Sequence, residues 1–203
     1  MLDKNPKQIL YEVFVKMQSE FSDRNPNIIL SSKPFVKSEF LNKLIDFFDA
    51  PVIFLDFDLL YSGYIGSGMI KKNKNVKILR PEKVDFEKHV KDIIEKISKE
   101  RVLVILDSFN VLHNMFDELD SFRFINASIM LLSSVAKNTK SQILVTAMAI
   151  KNESGIWVLS PGGKHLIDSK RSGMYYLDVS DSSLILSSIN KKLEHKKSFV
   201  IKK

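Results

Sequence analysis

The sequence predicts an α/β fold: a mostly parallel central sheet flanked by helices and finished by an antiparallel C-terminal edge. Three observations carry the prediction. Continuous apolar runs at residues 52–57, 102–106 and 142–146 mark strands buried on both faces, as in a parallel sheet. The segments between them repeat apolar residues at helical spacing. The last quarter, after Pro161-Gly162-Gly163, holds shorter apolar stretches separated by polar turns, the pattern of an antiparallel meander.

The elements follow in order. Residues 6–21 place Ile9, Leu10, Val13, Phe14, Met17 and Phe21 on one helical stripe, which Asn25-Pro26 ends. Residues 27–30 read as a short buried strand. Residues 37–48 carry Phe40, Leu41, Leu44, Ile45 and Phe48 at helical spacing, and Ala50-Pro51 closes that helix. After the strand at 52–57, residues 61–68 read as a loop with three glycines, and 76–79 as a short strand. Residues 85–99 set Phe86, Val90, Ile93, Ile94 and Ile97 on one face, with Lys and Glu opposite. The strand at 102–106 is followed by an amphipathic helix over 121–137 and the strand at 142–146. Residues 174–179, 184–189 and 198–201 complete the sheet.

At 203 residues the chain is expected to form a single domain, with residues 1–24 as a helix packing on or preceding the core. No apolar run approaches the roughly 18 to 20 residues of a membrane span, and the N-terminus lacks a secretory layout. The absence of cysteine excludes disulfides and thiolate metal sites and fits a cytoplasmic protein. The four histidines are scattered, so no metal site is expected. A net charge of +7 permits attraction to nucleic acid and is equally met by a lysine-rich solvated surface.

Residues 31–38, Ser-Ser-Lys-Pro-Phe-Val-Lys-Ser, have the frame of a phosphate-binding loop, G-x-x-x-x-G-K-[ST]. Lys37 and Ser38 are kept, while Ser31 and Val36 replace the glycines. Glycine there permits φ > 0 and close approach to a phosphate, which β-branched Val36 opposes, and Pro34 lacks an N–H. Two readings stand: a weakened phosphate site, or an ordinary strand-to-helix turn. The run ending Leu106-Asp107-Ser108 is an aliphatic strand closed by an acid suited to supporting Mg²⁺. Asp56 and Asp58 end another strand two residues apart, where one of them could polarise a water or both serve solubility. Ala147 and Met148, at the fourth strand end, offer no hydrogen-bonding side chain, which argues against a hydrolase. Lys164 and His165, beside the Gly162-Gly163 turn, could border a nucleic-acid groove or sit on a plain loop. The basic stretch with Lys191 and Lys192 could contact phosphates or guard a sheet edge.

Taken in order, these stretches resemble the RecA/RadA recombinase superfamily, and most closely its short RadB-like archaeal paralogs. The resemblance spans roughly residues 25–201. It implies a RecA-like P-loop NTPase core, with Lys37, Ser38 and Asp107 as the residues for ATP and Mg²⁺. Asp58 falls on the position of the family's catalytic Glu. Val145-Thr146-Ala147-Met148 falls on the aliphatic-Thr-Asn-Gln motif, whose nucleotide-sensing Gln is missing here. With both glycines, the Glu and the Gln changed, the resemblance implies an accessory protein in DNA repair or recombination rather than an active ATPase, with ATP bound weakly or not at all. Its expected partners are single-stranded DNA, reached through Lys164, Lys170, Arg171, Lys191 and Lys192, a recombinase, or further copies of itself. A slow ATPase and a scaffold subunit of a RecA-like ring are the alternatives.

Overall fold

The computed structural model describes residues 6–116, 121–151, 153, 157–159, 171–189 and 195–202. Among these residues nine strands form one sheet whose main path runs β3-β2-β4-β5-β1-β7-β8-β9, with β6 paired to β5 outside that path. The strands are β1 (Asn27–Ser31), β2 (Val52–Asp56), β3 (Val76–Leu79), β4 (Leu103–Asp107), β5 (Gln142–Lys151), β6 (Trp157–Leu159), β7 (Gly173–Ser180), β8 (Ser183–Ile189) and β9 (His195–Lys202). From β3 to β7 every neighbour is parallel; β8 and β9 are antiparallel. The meander expected at the C-terminal edge therefore begins one strand later than the sequence suggests. β7 joins β1 in parallel, and the antiparallel edge consists of the β7–β8 and β8–β9 pairings.

Helices cover both faces. The period-2 alternation of the strands sends Ile29, Phe54, Leu103, Ile105 and Leu144 to one apolar cluster, and Ile28, Leu30, Ile53, Leu55, Val104 and Leu106 to the other. The first cluster is capped by α1 (Pro6–Ser22), α2 (Pro34–Phe47) and α3 (Leu60–Gly66). The second is capped by α4 (Phe86–Lys99), α5 (Phe109–Asn114) and α6 (Ser121–Ala136). In α4 the stripe Phe86, Val90, Ile93 and Ile97 is buried, each side chain contributing about 1.5–3 kcal/mol of burial. Among the described residues no helix is long and apolar enough to cross a membrane.

Two local expectations fail. Most of residues 61–68, read as loop because of their glycines, belongs to α3: the Tyr61 ring is fully buried and stacks on Phe54 with ring centres 4.1 Å apart, a tertiary anchor that outweighs weak local propensity. The second helix starts at Pro34, three residues before the expected Lys37. Proline suits a first helical position because its φ is already fixed and its missing N–H is not needed there.

Candidate functional site

The early start of α2 removes the phosphate-binding loop. Only Ser32 and Lys33 separate β1 from α2, and Lys33 is extended at φ −122°. The Lys33 N–H donates to Ser31 Oγ at 3.3 Å, Pro34 has none, and the Lys37 N–H donates to the Lys33 carbonyl at 3.0 Å. Of the amides that would cradle a phosphate, those of Lys33 and Lys37 are thus spent within the chain and that of Pro34 is missing. Val36 lies inside the helix and needs no positive φ, so the conflict expected there does not arise.

Lys37 points from the first turn of α2 to the carboxyl edge of the sheet. There β2 and β4 end side by side, with Asp56 and Asp107 as register partners. Strand β2 stops at Asp56, and Leu59 at φ 59° turns the chain into α3. Asp56 and Asp58 both accept backbone N–H groups at the start of α3, Asp56 Oδ2 from Ser62 at 2.8 Å and Asp58 Oδ1 from Leu60 at 3.0 Å. The free oxygen of Asp58 takes the Lys37 ammonium at 2.8 Å, and Asp107 Oδ1 takes it at 2.5 Å. Thr146 Oγ1 on β5 donates a further short hydrogen bond to Asp107 Oδ1. Lys37 is 1% exposed, and Ser38, Asp56 and Asp107 are fully buried.

Burial by itself would lower the Lys37 pKa, but the charges of Asp107 and Asp58 outweigh it and hold the ammonium above its ordinary value. Asp107 is pushed up to about 6, first by burial and then by the nearby Asp58, although Lys37 and Thr146 act the other way. The two partners shift in the same direction for different reasons: one cation serves several buried carboxylates. Asp56 is raised as well, chiefly by burial. Formally the site holds three carboxylates and one ammonium, so it repels anions.

The carboxylate oxygens of Asp56, Asp58 and Asp107 lie within 4.8 Å of one another, a hard-oxygen set of the kind a divalent cation accepts. Asp56 Oδ1, Asp107 Oδ2 and Ser38 Oγ have no described hydrogen-bond partner. The Lys37 ammonium already occupies two of these carboxylates, and no loop remains to hold phosphates. A Mg-triphosphate does not fit this arrangement.

The structure thus gathers Lys37, Ser38, Asp58 and Asp107 at one edge, as their order in the chain implies. Arg171 lies far from them, exposed just before β7. Lys164, Lys170, Lys191 and Lys192, with the Gly162-Gly163 turn, lie outside the described residues. Sequence reasoning gave no role to Thr146, whose motif position beside the missing Gln was its only signal. It also missed Asn110 on α5, whose Oδ1 accepts the Met148 N–H at 2.7 Å and ties α5 to β5.

No protein-family model matches the chain, and no curated protein matches it by sequence. Among solved structures it is similar to a DnaB-like replicative helicase, determined together with its interactions with primase. The TM-score is 0.56 at 12% identity, over 89% of this chain and 56% of that one, so the chain spans a little over half the length of the helicase. At this identity the likeness carries the fold alone: the protein has a RecA-like α/β core, mostly parallel and closed by an antiparallel C-terminal edge.

Proposed function

We propose that this protein is a RecA-fold accessory protein that does not turn over ATP and acts by binding, in DNA repair or recombination. Its partners on this reading are single-stranded DNA and a recombinase, and its finer kinship is with short RadB-like archaeal paralogs. The observation that carries the reading is the buried Lys37–Asp58–Asp107 cluster. The cation that would neutralise a triphosphate is already neutralised from within. Releasing it would leave carboxylates buried without a partner, at a cost of about 3–5 kcal/mol.

Calorimetric titration with MgATP tests the inactive half of the reading. The expected result is no heat and no rise in Tm, whereas a ligand at a hundred times its Kd would add about 2.7 kcal/mol of stability. Fluorescence anisotropy with single-stranded DNA across a salt series tests the binding half. Salt-dependent binding is expected, and its absence together with no recombinase contact would end the reading.

One observation favours a second reading, a slow ATPase. Lys37, Ser38, Asp107 and Asp58 converge at one sheet edge, in the places where the resemblance puts the nucleotide ligands and the catalytic carboxylate. On that reading α2 would have to unwind at Pro34–Val36 to free the Lys37 amine. MgATP hydrolysis abolished by Asp58→Asn would establish it over the first.

A further inference from the structure

The opposite edge of the sheet has a different character. Strands β4, β5, β1 and β7 are consecutive neighbours. Each is preceded by a cation: Arg101 stands two residues before β4, Lys140 two before β5, Arg24 three before β1 and Arg171 two before β7. Neighbouring strands lie about 4.8 Å apart, so these side chains start from a row about 15 Å long. With Lys137, just after α6, they line one cleft of about 640 Å³ in which, among the described residues, Asp23 is the single carboxylate.

All five cations are exposed. Among the described residues, Arg24, Arg101, Lys137 and Lys140 have no carboxylate within ion-pair distance. Two are held by uncharged partners that leave donors over. The Arg101 guanidinium lies 4.8 Å from the centre of the Phe48 ring, and Arg24 Nη1 donates to the Ser172 carbonyl at 3.4 Å. The floor is fixed: Asn25 Nδ2 donates to the Ser141 carbonyl at 3.2 Å, and Asn25 Oδ1 accepts the Ile143 N–H at 2.9 Å. Lys140 is kept at φ 57°, a left-handed conformation where Gly or Asn is the ordinary choice. Cations at the ends of α1, α4 and α6 also complement helix dipoles. That effect needs one cation per helix end and does not gather four connections into one cleft.

We propose that this amino-terminal edge is a binding cleft for the phosphodiester backbone of a single-stranded nucleic acid, gripped by Arg24, Arg101, Lys137, Lys140 and Arg171. The proposal rests on the nucleic-acid reading above and places that contact on the side of the sheet away from Lys37. A row of cations in a recess suits a flexible strand that can follow it. Among the described residues the lining offers charge and no exposed aromatic platform, so the grip is independent of base sequence.

The test is anisotropy with labelled oligothymidylate over a salt series, on the full chain. For a single strand each neutralised phosphate adds about −0.7 to the slope of log K against log salt. The triple variant Arg101→Gln/Lys137→Gln/Lys140→Gln should therefore bind at least ~10-fold more weakly and with a slope shallower by about 2. The milder Lys137→Gln/Lys140→Gln, which removes no described contact, should lose about 1.4 of slope with an unchanged Tm. A charge-matched control at the other edge, Arg80→Gln/Lys83→Gln/Lys88→Gln, should keep the wild-type slope. Wild-type binding that survives both cleft variants would overturn the cleft and leave the nucleic-acid reading standing. Equal loss in the control would also overturn the cleft, since binding would then follow overall charge. Displacement of the strand by inorganic pyrophosphate at equal phosphate concentration would make it a small-anion site, again overturning the proposal. A wild-type protein that does not bind the oligonucleotide would remove both.

Discussion

The two edges of the sheet are built from the same strands and have opposite chemistry. At its carboxyl end β4 offers Asp107, buried and bound to Lys37; just before its amino end it offers Arg101, exposed and lying over a phenyl ring. β1 leads at one end into Lys37 and follows Arg24 at the other. In a RecA-like fold the strand ends arrive together at each edge whatever residues they carry. What differs here is where charge meets water. At the carboxyl edge the charges satisfy one another and have become core. At the amino edge they face solvent with little counter-charge. Shared topology thus brings the ligand positions together without keeping them available, and the exposed charge lies at the other edge.

The comparison can be broken most forcefully at Lys37. If the carboxyl edge is core, Lys37→Met leaves the buried Asp107 and the mostly buried Asp58 without their cation and should cost about 3–5 kcal/mol in urea unfolding. If Lys37 were instead a reserve for an incoming phosphate, its loss would cost little and would affect only ligand binding. A near-neutral Lys37→Met would therefore reverse the reading of that edge.

The amino edge is sharpened by Gly173, the first residue of β7. A Cβ there would come within 2.8 Å of Tyr175 Cε2 and 2.9 Å of its hydroxyl, and closer still to Asn27 Oδ1. Both neighbours are buried, and Asn27 is pinned by hydrogen bonds from its Nδ2 to the Phe21 and Arg24 carbonyls, each 2.9 Å. Gly173→Ala should cost roughly 1–3 kcal/mol, the usual range for an overpacked core. A smaller loss, read by thermal unfolding, would mean that the connection holding Arg24 yields easily and that the cleft is not preformed.

Much of the sheet was legible because its central strands are buried on both faces and so read as unbroken apolar runs. Direction was not legible: nothing in the period of residues 173–180 distinguishes a strand parallel to β1 from the first limb of a hairpin. α3 was hidden because Gly63 and Gly66 argue against a helix locally, while the Tyr61–Phe54 stack that fixes it is a long-range contact. The convergence of Lys37, Asp58 and Asp107 followed from motif order. Their closure into an ion cluster depends on α2 starting at Pro34, a shift of three residues that hydrophobic spacing does not fix. Of the basic cleft only Arg171 was named from the sequence, since its cations are scattered from Arg24 to Arg171 and meet only through strand order.

The smallest expected effect concerns the sign of the charge at Asp56. Its carboxyl is buried beside Asp58, and burial, more than any neighbour, raises its native pKa above the unfolded value. A raised native pKa stabilises the fold at low pH, and that contribution is lost as pH rises through the native value. Asp107, with its value near 6, has the same sign and stays in place in either protein. Asp56→Asn keeps an oxygen for the Ser62 N–H and removes only the titration. The variant should match the wild type near pH 4 and become the more stable of the two by pH 7, in urea unfolding measured at both. If Asp56→Asn instead loses stability at neutral pH, the carboxyl edge needs its negative charge. A three-carboxylate set that needs its charge is one that holds a cation, and the contrast between a closed acidic edge and an open basic one would then have to be redrawn with the carboxyl edge as a second site.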